Sequence, residues 1–449
     1  MRRTASRTDR LLVIGAGPVG LAMADALKQR GLAFDLVDAA DGVGGLWRNG
    51  VYQGVHIVSS KKSTGYTDYP MPAHYPDFPS SAQMLRYLES FACDRGLTDA
   101  LEVRRQVVSA VPLADESWRV TFENGEQRTY KGVVVCNGHH WDKRLPRYRG
   151  RFTGALIHSK DYKDPKQLQG KRVLVIGGGN SGCDIACESA RVGAACDLSL
   201  RTGYWFLPKT AFGKPLTDLP IWGLPVFAQR LILRALVRVF IGDYRQYGLP
   251  KPNHKLFERH PAFGTDLLNY LRQGRIKPRP DIARFAGTKV HFTDGSAGEY
   301  DLVVAATGFN NSIPFLPKGL VHIENDVVQV YGGAFPDAVK NLYIIGWAQP
   351  RNGFGAIISP AAKLYAEMIA LQDEIELPIG YVLKWRGLKL PTTHLIDPGS
   401  TRRVIWVAHK VLPLLKRRAR IIAEKQPRPP FDPSLYVDDA QDGAAAANG

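Results

Sequence analysis

The stretch that decides the fold is LLVIGAGPVGLAMADALKQRG, residues 11–31. A short apolar run leads directly into Gly15, Gly17 and Gly20, and a helical pattern then continues to Gly31. Short continuous apolar runs are typical of buried parallel strands. Glycines at this spacing allow the tight turn and the close backbone approach that a dinucleotide pyrophosphate requires. The pattern therefore predicts a strand, a phosphate-binding turn and a helix.

The same arrangement returns at KRVLVIGGGNSGCDIACESARVGA, residues 171–194, with glycines at Gly177, Gly179 and Gly182. Two such units predict an α/β fold with two nested Rossmann-like dinucleotide-binding domains, in which the first domain is split by the inserted second. A later apolar run, YDLVVAATGFN at residues 300–310, is interpreted as the strand with which the chain returns to the first domain.

These landmarks predict the division of the chain. We expect the first domain at residues 1–166 and again at 298–425, where it ends in C-terminal helices. The second domain is expected at 167–297, with a basic amphipathic insertion at about 210–260. The Pro-rich and then small, acidic end of the chain predicts a disordered tail at 426–449.

The two units differ where a ribose would bind. Asp38 follows Gly15 by 23 residues, whereas Leu200 and then Arg201 occupy the corresponding place after Gly177. A carboxylate accepts hydrogen bonds from ribose hydroxyls and repels a 2′-phosphate, whereas an arginine pairs with one. The first site is therefore predicted to hold FAD or NAD, and the second NADP(H). The alternative for Arg201 is an ordinary solvated surface arginine.

A more specific feature precedes the second unit. In FTGALIHSKDY, residues 152–162, the residues Phe152, Gly154, His158 and Tyr162 have the spacing F-x-G-x-x-x-H-x-x-x-Y. Here the chain resembles the flavin-containing monooxygenases, a family of class B flavoprotein monooxygenases, whose identifying sequence lies between an FAD loop and an NADP loop. The resemblance also includes GGLWR at 44–48, TDYPMP at 67–72 and ATGF at 306–309.

The resemblance implies which residues bind the cofactors. Contacts with FAD are implied for Gly15, Gly17, Gly20, Asp38, Gly45, Leu46, Trp47, Thr307 and Gly308. Contacts with NADP(H) are implied for Gly177, Gly179, Asn180, Ser181, Gly182 and Arg201. In this family the fingerprint histidine, His158 here, belongs to the hinge between the domains and is not assigned as a catalytic residue.

The resemblance also implies a reaction in which the flavin carries the chemistry. NADPH reduces the flavin, which takes up O₂ as a C4a-(hydro)peroxide and oxygenates an amine nitrogen or a sulfide sulfur of a small, lipophilic substrate. Family members often place an asparagine where this chain has Val58. Valine forms no side-chain hydrogen bond, so Ser59 and Ser60 are the polar candidates near the flavin, and we expect more uncoupled peroxide release than usual.

Three other functions stay open. A Baeyer–Villiger monooxygenase inserts oxygen beside a ketone, but its fingerprint ends in Trp where this chain has Tyr162. A disulfide reductase shares the nested fold and would need Cys183 and Cys187 as a redox dithiol, although small buried core residues are the more ordinary interpretation. A non-catalytic FAD- and NADP-binding sensor or scaffold is the third.

The composition supports these expectations without choosing among them. The 449 residues are 45% hydrophobic and 22% charged, which is ordinary for a globular protein and excludes wholesale disorder. Five cysteines include no CxxC pair and no zinc spacing, so we expect a reducing, cytoplasmic location and no metal. The sequence contains no run of 18 or more uncharged apolar residues, so it predicts no membrane-spanning helix.

The net charge of +17 is concentrated in part in two amphipathic segments. Arg230, Arg234 and Arg238 recur every four residues within 216–241, and TRRVIWVAHKVLPLLKRRAR at 401–420 carries no acid. Such segments either touch an anionic membrane surface or pack on the core with solvated charges. No nucleic-acid motif is recognised. Dimers are common among similar proteins, so a homodimer is one of the expected states.

Overall fold

The computed structural model describes residues 4–428 and 431–436, and two mainly parallel sheets organise this part of the chain. The first sheet is built around Thr4–Ile14, which pairs in parallel with Phe34–Val37 on one side and Gln127–Val135 on the other. In spatial order its strands are Leu101–Glu102, Phe34–Val37, Thr4–Ile14, Gln127–Val135, Trp118–Phe122 and Val107–Pro112, with Leu342–Ile344 beside the end of Gln127–Val135.

The second sheet is parallel throughout. In spatial order its strands are Lys277–Arg279, Ala195–Ser199, Arg172–Ile176, Leu302–Ala305 and Ala155–His158. The strand Leu302–Ala305 thus lies inside this sheet, between Arg172–Ile176 and Ala155–His158, whereas we expected it to return to the first domain. A continuous apolar run suits the interior of any parallel sheet, so the pattern could not say which sheet receives it.

The domain boundaries predicted at residues 166 and 298 therefore separate strands of one sheet. Ala155–His158 and Leu302–Ala305, which the prediction placed in the first domain, pair with each other. The chain leaves the first sheet after Val135 and rejoins it at Leu342–Ile344. The nesting itself is observed, since the strands of the second sheet all lie between these two points in the sequence.

Helices follow the strands that lead into the glycine turns. Pro18–Arg30 has proline at its start and ends at Gly31, whose φ of 74° gives the left-handed cap that glycine adopts without strain. It packs against Gly355–Gln372, and Asn180–Val192 packs against Asp266–Arg272. The other helices are Leu46–Asn49, Lys61–Thr64, Ser81–Asp94, Val226–Phe240, Ile379–Trp385, Pro398–Val411 and Pro413–Lys425.

Short elements complete the described chain. An antiparallel sheet contains Ile282–Ala286, Lys289–Phe292 and Ala297–Glu299. Two-residue strands lie at Asp142–Lys143, Phe206–Leu207, Thr210–Ala211, Lys214–Pro215, Ala262–Phe263, Phe309–Asn310, Ile323–Glu324, Val327–Val328, Gln349–Pro350 and Leu395–Ile396. Turns of 3-10 helix lie at Thr98–Ala100, Pro165–Gln167, Leu216–Asp218, Pro220–Gly223, Tyr244–Tyr247 and Pro433–Tyr436.

The basic segment predicted as an amphipathic helix forms Val226–Phe240. Its Leu233 and Val237 are buried in the core of the second sheet's domain, while Arg234 and Arg238 are exposed. Two residues of the predicted arginine stripe, Arg234 and Arg238, are therefore exposed, whereas Arg230 is half-buried and donates to the carbonyl of Leu256 at 2.9 Å. None of the helices in residues 4–428 and 431–436 combines the length and apolarity needed to cross a bilayer.

Both ends of the chain differ from the prediction. The first strand begins at Thr4 and not at Leu11, because Arg7 and Arg10 are held by Asp35 on the neighbouring strand. Of the tail predicted to be disordered, residues 426–428 and 431–436 are described. There Arg428 pairs with Glu116 at 2.6 Å, and Phe431 stacks on Tyr436 against the first sheet's core. Residues 429–430 and 437–449 lie outside the described chain.

The ion pair at the start of the first sheet gives a stability prediction. Burial raises the pKa of Asp35, but hydrogen bonds from Arg10, Arg7 and Tyr130 outweigh it and leave the pKa below its usual value. Asp35→Asn leaves the arginines without their carboxylate and should cost about 1–3 kcal/mol at pH 7, lowering Tm by several degrees, with solvent screening of the arginines already discounted.

The pH dependence follows from the lowered pKa. The contribution of Asp35 is fully present above the unfolded pKa of about 3.9 and is lost as pH falls through the lower folded value. The difference in Tm between the wild type and D35N should therefore shrink below about pH 4. Asp9→Asn is the matched control, because Asp9 is exposed and 3.9 Å from Arg10. An equal loss in D9N would contradict the assignment.

Candidate functional site

The first glycine turn is shaped by contacts of the chain with itself. Gly15 has a φ of 104°, and a Cβ there would lie 2.5 Å from the carbonyl oxygen of Cys136. A Cβ on Gly20 would lie 1.7 Å from the carbonyl oxygen of Gly15, and one on Gly45 would lie 2.9 Å from Cα of Gly17. These positions therefore require glycine for the fold itself, and they leave a bare backbone at the start of helix Pro18–Arg30.

Three of the predicted first-site residues gather at this turn. The carboxylate of Asp38 accepts hydrogen bonds from the backbone of Ala16 at 2.6 Å and of Ala40 at 2.8 Å. Leu46 and Trp47 open the short helix Leu46–Asn49, which is tied to the turn by the hydrogen bond from Gly44 to the carbonyl of Ala16 at 2.9 Å. Free amide groups at a helix start, beside a carboxylate, suit the pyrophosphate and ribose of a dinucleotide.

The second glycine turn repeats this geometry. Gly177 has a φ of 107°, and a Cβ there would lie 2.4 Å from the carbonyl oxygen of Ala306, while one on Gly182 would lie 2.0 Å from that of Gly177. A Cβ on Gly179 would meet no atom within 4 Å. Packing of the described chain therefore does not require glycine at position 179.

The remaining second-site residues divide into two kinds. The side chain of Asn180 accepts a hydrogen bond from the backbone of Phe263 at 2.8 Å, and Ser181 lies by Tyr52. Both side chains therefore already have protein partners. Arg201 is exposed just beyond Ala195–Ser199, and it forms no ion pair with any described residue. Its guanidinium is thus available to an anion.

Thr307 and Gly308 follow the strand Leu302–Ala305 and therefore lie beside the second glycine turn. Thr307 donates to the carbonyl of Arg144 at 2.5 Å, and the backbone of Arg144 donates to that of Gly308 at 3.1 Å. The two residues, predicted as first-site contacts, thus join the second turn to the segment that leaves the first sheet. The reason is the placement of their strand in the second sheet.

The fingerprint residues are explained by packing and hydrogen bonds. His158 is fully buried, accepts a hydrogen bond at Nδ1 from the backbone of Lys160 and donates from Nε2 to the carbonyl of Gly308 at 2.9 Å. Burial lowers the pKa of His158, which keeps this imidazole neutral at neutral pH. His158 thus links the edge strand of the second sheet to the segment after the neighbouring strand Leu302–Ala305.

The other fingerprint residues fix the same edge. Phe152 packs on Phe285 with ring centres 5.6 Å apart, and a Cβ on Gly154 would lie 2.8 Å from the ring of Phe152. The hydroxyl of Tyr162 donates to Glu188 on helix Asn180–Val192. The motif thus connects the edge strand to the helix of the second glycine turn, which agrees with a structural and not a catalytic role.

Sequence reasoning missed a pair of loops, residues 136–141 and 345–354, which we call the distal loops. They follow Gln127–Val135 and Leu342–Ile344, so they lie at the carboxyl edge of the first sheet, on the far side of the glycine turn from Asp38. Ligands of open parallel sheets bind at this edge. A dinucleotide with its ribose at Asp38 would extend its reactive ring toward the distal loops.

The distal loops carry buried polar atoms that no described residue satisfies. These atoms are Asn137 Oδ1, His139 Nδ1, Trp347 Nε1, Arg351 Nε and Nη1, and Asn352 Oδ1. Buried polar groups in folded proteins are nearly always hydrogen-bonded, so such a concentration indicates groups that are completed by a ligand or water. The signal in the sequence was a polar run after each buried strand, CNGHHW and WAQPRN.

Four histidines lie in or near the distal loops. His139 and His140 have ring centres 4.1 Å apart, and the amide nitrogen of Gln349 lies 2.8 Å from Nε2 of His139. Burial lowers the pKa of His139 to about 4 and that of His140 to about 3, and it also lowers the pKa of His260 and His394. These imidazoles are therefore neutral at physiological pH and contribute no positive charge.

The three residues predicted to lie near the flavin, Val58, Ser59 and Ser60, lie beside the insertion. The backbone of Ser60 donates to Thr217 Oγ1 at 3.0 Å, and its hydroxyl donates to Asp218. The hydroxyls of Ser59 and Thr64 are 2.7 Å apart, and Val58 packs against the second sheet's core. Both serine hydroxyls therefore have protein partners, and the insertion covers this segment.

The buried cysteines give no support to a dithiol reaction. Burial raises the pKa of Cys183, Cys187 and Cys196, so these thiols are protonated at neutral pH, and Sγ of Cys183 faces the carbonyl of Gly178 at 3.4 Å. Within the described ranges, no cluster of three or more His, Cys, Asp or Glu side chains is arranged to hold a metal ion.

Comparison with known proteins agrees with this arrangement. Residues 8–370 match the family described as flavin-binding monooxygenase-like. Flavin-containing monooxygenase 5 of Oryctolagus cuniculus is 33% identical over 81% of this chain and 73% of its own length. Dimethylaniline monooxygenase [N-oxide-forming] 2 of Macaca mulatta is 31% identical over 80% of this chain and 72% of its own.

A solved structure shows the same fold. The open crystal structure of cyclohexanone monooxygenase superposes with a TM-score of 0.71, at 20% identity, and the match covers 92% of this chain and 99% of that one. At this level of identity the similarity concerns the fold.

The exposed Arg201 gives a prediction for the second site. Arg201→Ala removes the cation that would pair with a 2′-phosphate, so it should raise KM for NADPH about tenfold or more while leaving KM for NADH unchanged. Steady-state oxidation of both nucleotides measures this. Arg284→Ala, another exposed arginine in the antiparallel sheet, is the control. An equal loss for both nucleotides would show that Arg201 does not recognise the phosphate.

Proposed function

The chain belongs to the flavin-binding monooxygenase-like family, and from this membership we propose that it oxygenates an amine nitrogen or a sulfide sulfur of a small molecule. It is an NADPH-dependent flavoprotein monooxygenase, an oxidoreductase that uses FAD, NADPH and O₂. Its substrate is a small molecule. The proposal concerns which atom of that molecule is oxygenated and by which intermediate.

The observation that carries the proposal is the pair of self-contacting glycine turns with unsatisfied polar atoms beside the first. We propose that the first turn, with Gly15, Gly17, Gly20, Asp38, Gly45, Leu46 and Trp47, holds FAD, and that the second, with Gly177, Gly179, Gly182 and Arg201, holds NADPH. The distal loops then receive the flavin ring. The orphaned atoms of Asn137 and Asn352 fit such a polar ring edge.

The finer proposal follows the family's chemistry. In this proposal, bound FAD would accept a hydride from NADPH and would transfer oxygen through a C4a-(hydro)peroxide. The protein's part is to bind, orient and exclude water. Thr217 and Asp218 of the insertion hold Ser60 and so cover the segment at the flavin. The neutral imidazoles of His139 and His140 supply hydrogen-bonding groups there without a charge.

Baeyer–Villiger oxidation of a ketone is the second candidate. Similarity to cyclohexanone monooxygenase concerns the fold alone. Tyr162 at the end of the fingerprint favours oxygenation of nitrogen or sulfur, and the name of the macaque relative includes N-oxide formation. We therefore propose N- or S-oxygenation first and keep ketone oxidation as an outcome of the same experiment.

The test is product analysis under ¹⁸O₂ with NADPH and one of three probes: methyl phenyl sulfide, N,N-dimethylaniline or cyclohexanone. We expect ¹⁸O in the sulfoxide or the N-oxide, with at most one labelled product per NADPH consumed. A labelled lactone alone would establish the Baeyer–Villiger alternative. Hydrogen peroxide without any labelled product would contradict oxygenation, and a flavin that NADPH never reduces would support the non-catalytic sensor.

We also infer a peripheral contact with an anionic membrane surface. Phe227 and Leu231 on helix Val226–Phe240 are 76% and 71% exposed, and Val404 and Trp406 on helix Pro398–Val411 are 66% and 64% exposed. The amide of Gln229 donates to Asp397 at 3.0 Å and joins the two helices. Exposed apolar groups interspersed with arginines match the chemistry of an interface with acidic lipid headgroups.

Vesicle sedimentation tests this inference. The wild type should sediment with phosphatidylcholine vesicles that contain phosphatidylserine, less so at about 0.5 M salt and less without phosphatidylserine. The double variant F227E/W406E should remain in the supernatant. Val108→Glu, an exposed residue of the first sheet, is the control. Absence of sedimentation, or a dimer that only F227E/W406E dissociates, would overturn the inference and assign the surface to self-association.

A further inference from the structure

A buried arginine in a distal loop lacks the partners that a buried charge needs. The side chain of Arg351 is 11% exposed, and its Nε and Nη1 atoms are buried without a hydrogen-bond partner among the described residues. Burial lowers the pKa of this guanidinium. Because an unpaired buried cation is costly, a chain that keeps one at the edge of a ligand site has an anion to bind there.

The nearest carboxylate does not meet this need. Asp397 lies 3.9 Å from Nη1 of Arg351, beyond hydrogen-bonding distance. Its Oδ1 accepts from Gln229 at 3.0 Å, and its Oδ2 accepts from the backbone of Ser400 at 2.8 Å at the start of a helix. Arg230 is a second cation nearby, and its Nε donates to the carbonyl of Leu256 at 2.9 Å. The one carboxylate that reaches Arg351 is therefore distant and already hydrogen-bonded, and a second cation lies nearby.

The guanidinium is also held in a fixed orientation. Its Cζ lies 4.7 Å from the ring centre of Phe257, which is buried in the insertion. Phe257 has a φ of 71°, a backbone conformation that a bulky residue rarely adopts and that tends to occur at functional sites. Contact with the ring occupies one side of the guanidinium, and an arginine binds an oxyanion through the N–H groups at its edge.

The geometry points to a carboxylate on the substrate as the partner of Arg351, an inference that rests on the proposed function. The phosphates of FAD and NADPH belong at the two glycine turns, at the starts of Pro18–Arg30 and Asn180–Val192. Arg351 instead lies in a distal loop, where it contacts Phe257 of the insertion and lies near Asp397 at the start of Pro398–Val411. The substrate class is therefore amines or sulfides that also carry a carboxylate.

The first measurement is binding to the oxidised holoenzyme. The probes are ω-(methylthio)alkanoates with one to five methylene groups and the corresponding primary amides. Their binding is measured from the change that each causes in the flavin absorption spectrum. For at least one chain length the carboxylate should bind at least tenfold more tightly than its amide. Arg351→Met should abolish this preference and change the affinity for the amide less than threefold.

A matched set of variants separates recognition from folding. Arg351→Lys keeps the charge without the planar fork and should retain part of the preference. Arg234→Met removes an exposed arginine of the insertion helix and should change nothing. Without ligand, R351M should melt at or above the wild-type Tm, because it removes a buried charge that has no hydrogen bond to its distant carboxylate. A lower Tm would show that Arg351 has a structural partner and would overturn the proposal.

Turnover distinguishes this proposal from the one on which it rests. Sulfoxide formed from carboxylates and amides with equal kcat/KM would overturn the carboxylate site and leave the monooxygenase intact. Charge-selective binding without sulfoxide from any probe would leave the anion site and contradict oxygenation of sulfur. A variant R351M that loses FAD, or that raises KM for NADPH, would assign the arginine to a cofactor and also overturn the proposal.

Discussion

Everything in this molecule depends on two places where the backbone crosses itself too closely for any side chain. At Gly20 an added Cβ would lie 1.7 Å from the preceding turn, and at Gly182 it would lie 2.0 Å from it. This contact brings a strand and the following helix together so that the helix begins at the edge of the sheet. The amide groups of that first helical turn have no partners in the helix, so they point toward any bound pyrophosphate.

The positions of the other loops of the candidate site follow from that constraint. Parallel strands end at one edge, so the loops after neighbouring strands meet there. In the first sheet these are the glycine turn, the loop with Asp38 and the two distal loops. In the second sheet they are the turn at Gly177 and the segment with Thr307 and Gly308. His158 joins that segment to the edge strand, which explains the spacing of the fingerprint without a catalytic proton.

Local structure could be predicted from the sequence wherever one pattern has one solution. The strands before both glycine turns, the helices after them and the exposed arginines at Arg234 and Arg238 follow from periodicity and glycine spacing. The sheet that contains Leu302–Ala305 could not be predicted in this way, because an apolar sequence does not specify which strands it pairs with. The extension of the first strand to Thr4 depended on ion pairs with Asp35 that only the fold brings together.

The candidate site divides in the same way. The residues at the glycine turns could be predicted because the backbone demands them. The distal loops could not be predicted. Asn137, His139 and Arg351 stand out because they have buried polar atoms without a hydrogen-bond partner, and only the packing of the fold shows which atoms those are. Ser60 shows the converse: its hydroxyl suggested a role at the flavin, but in the fold it donates to Asp218.

The most direct test of this account is a crystal structure with FAD and NADP⁺ bound. The account predicts the FAD pyrophosphate at the start of Pro18–Arg30, its ring against residues 136–141 and 345–354, and the 2′-phosphate of NADP⁺ at Arg201. A flavin ring elsewhere, or a 2′-phosphate bound away from Arg201, would contradict the derivation of the site from the carboxyl edges of the two sheets.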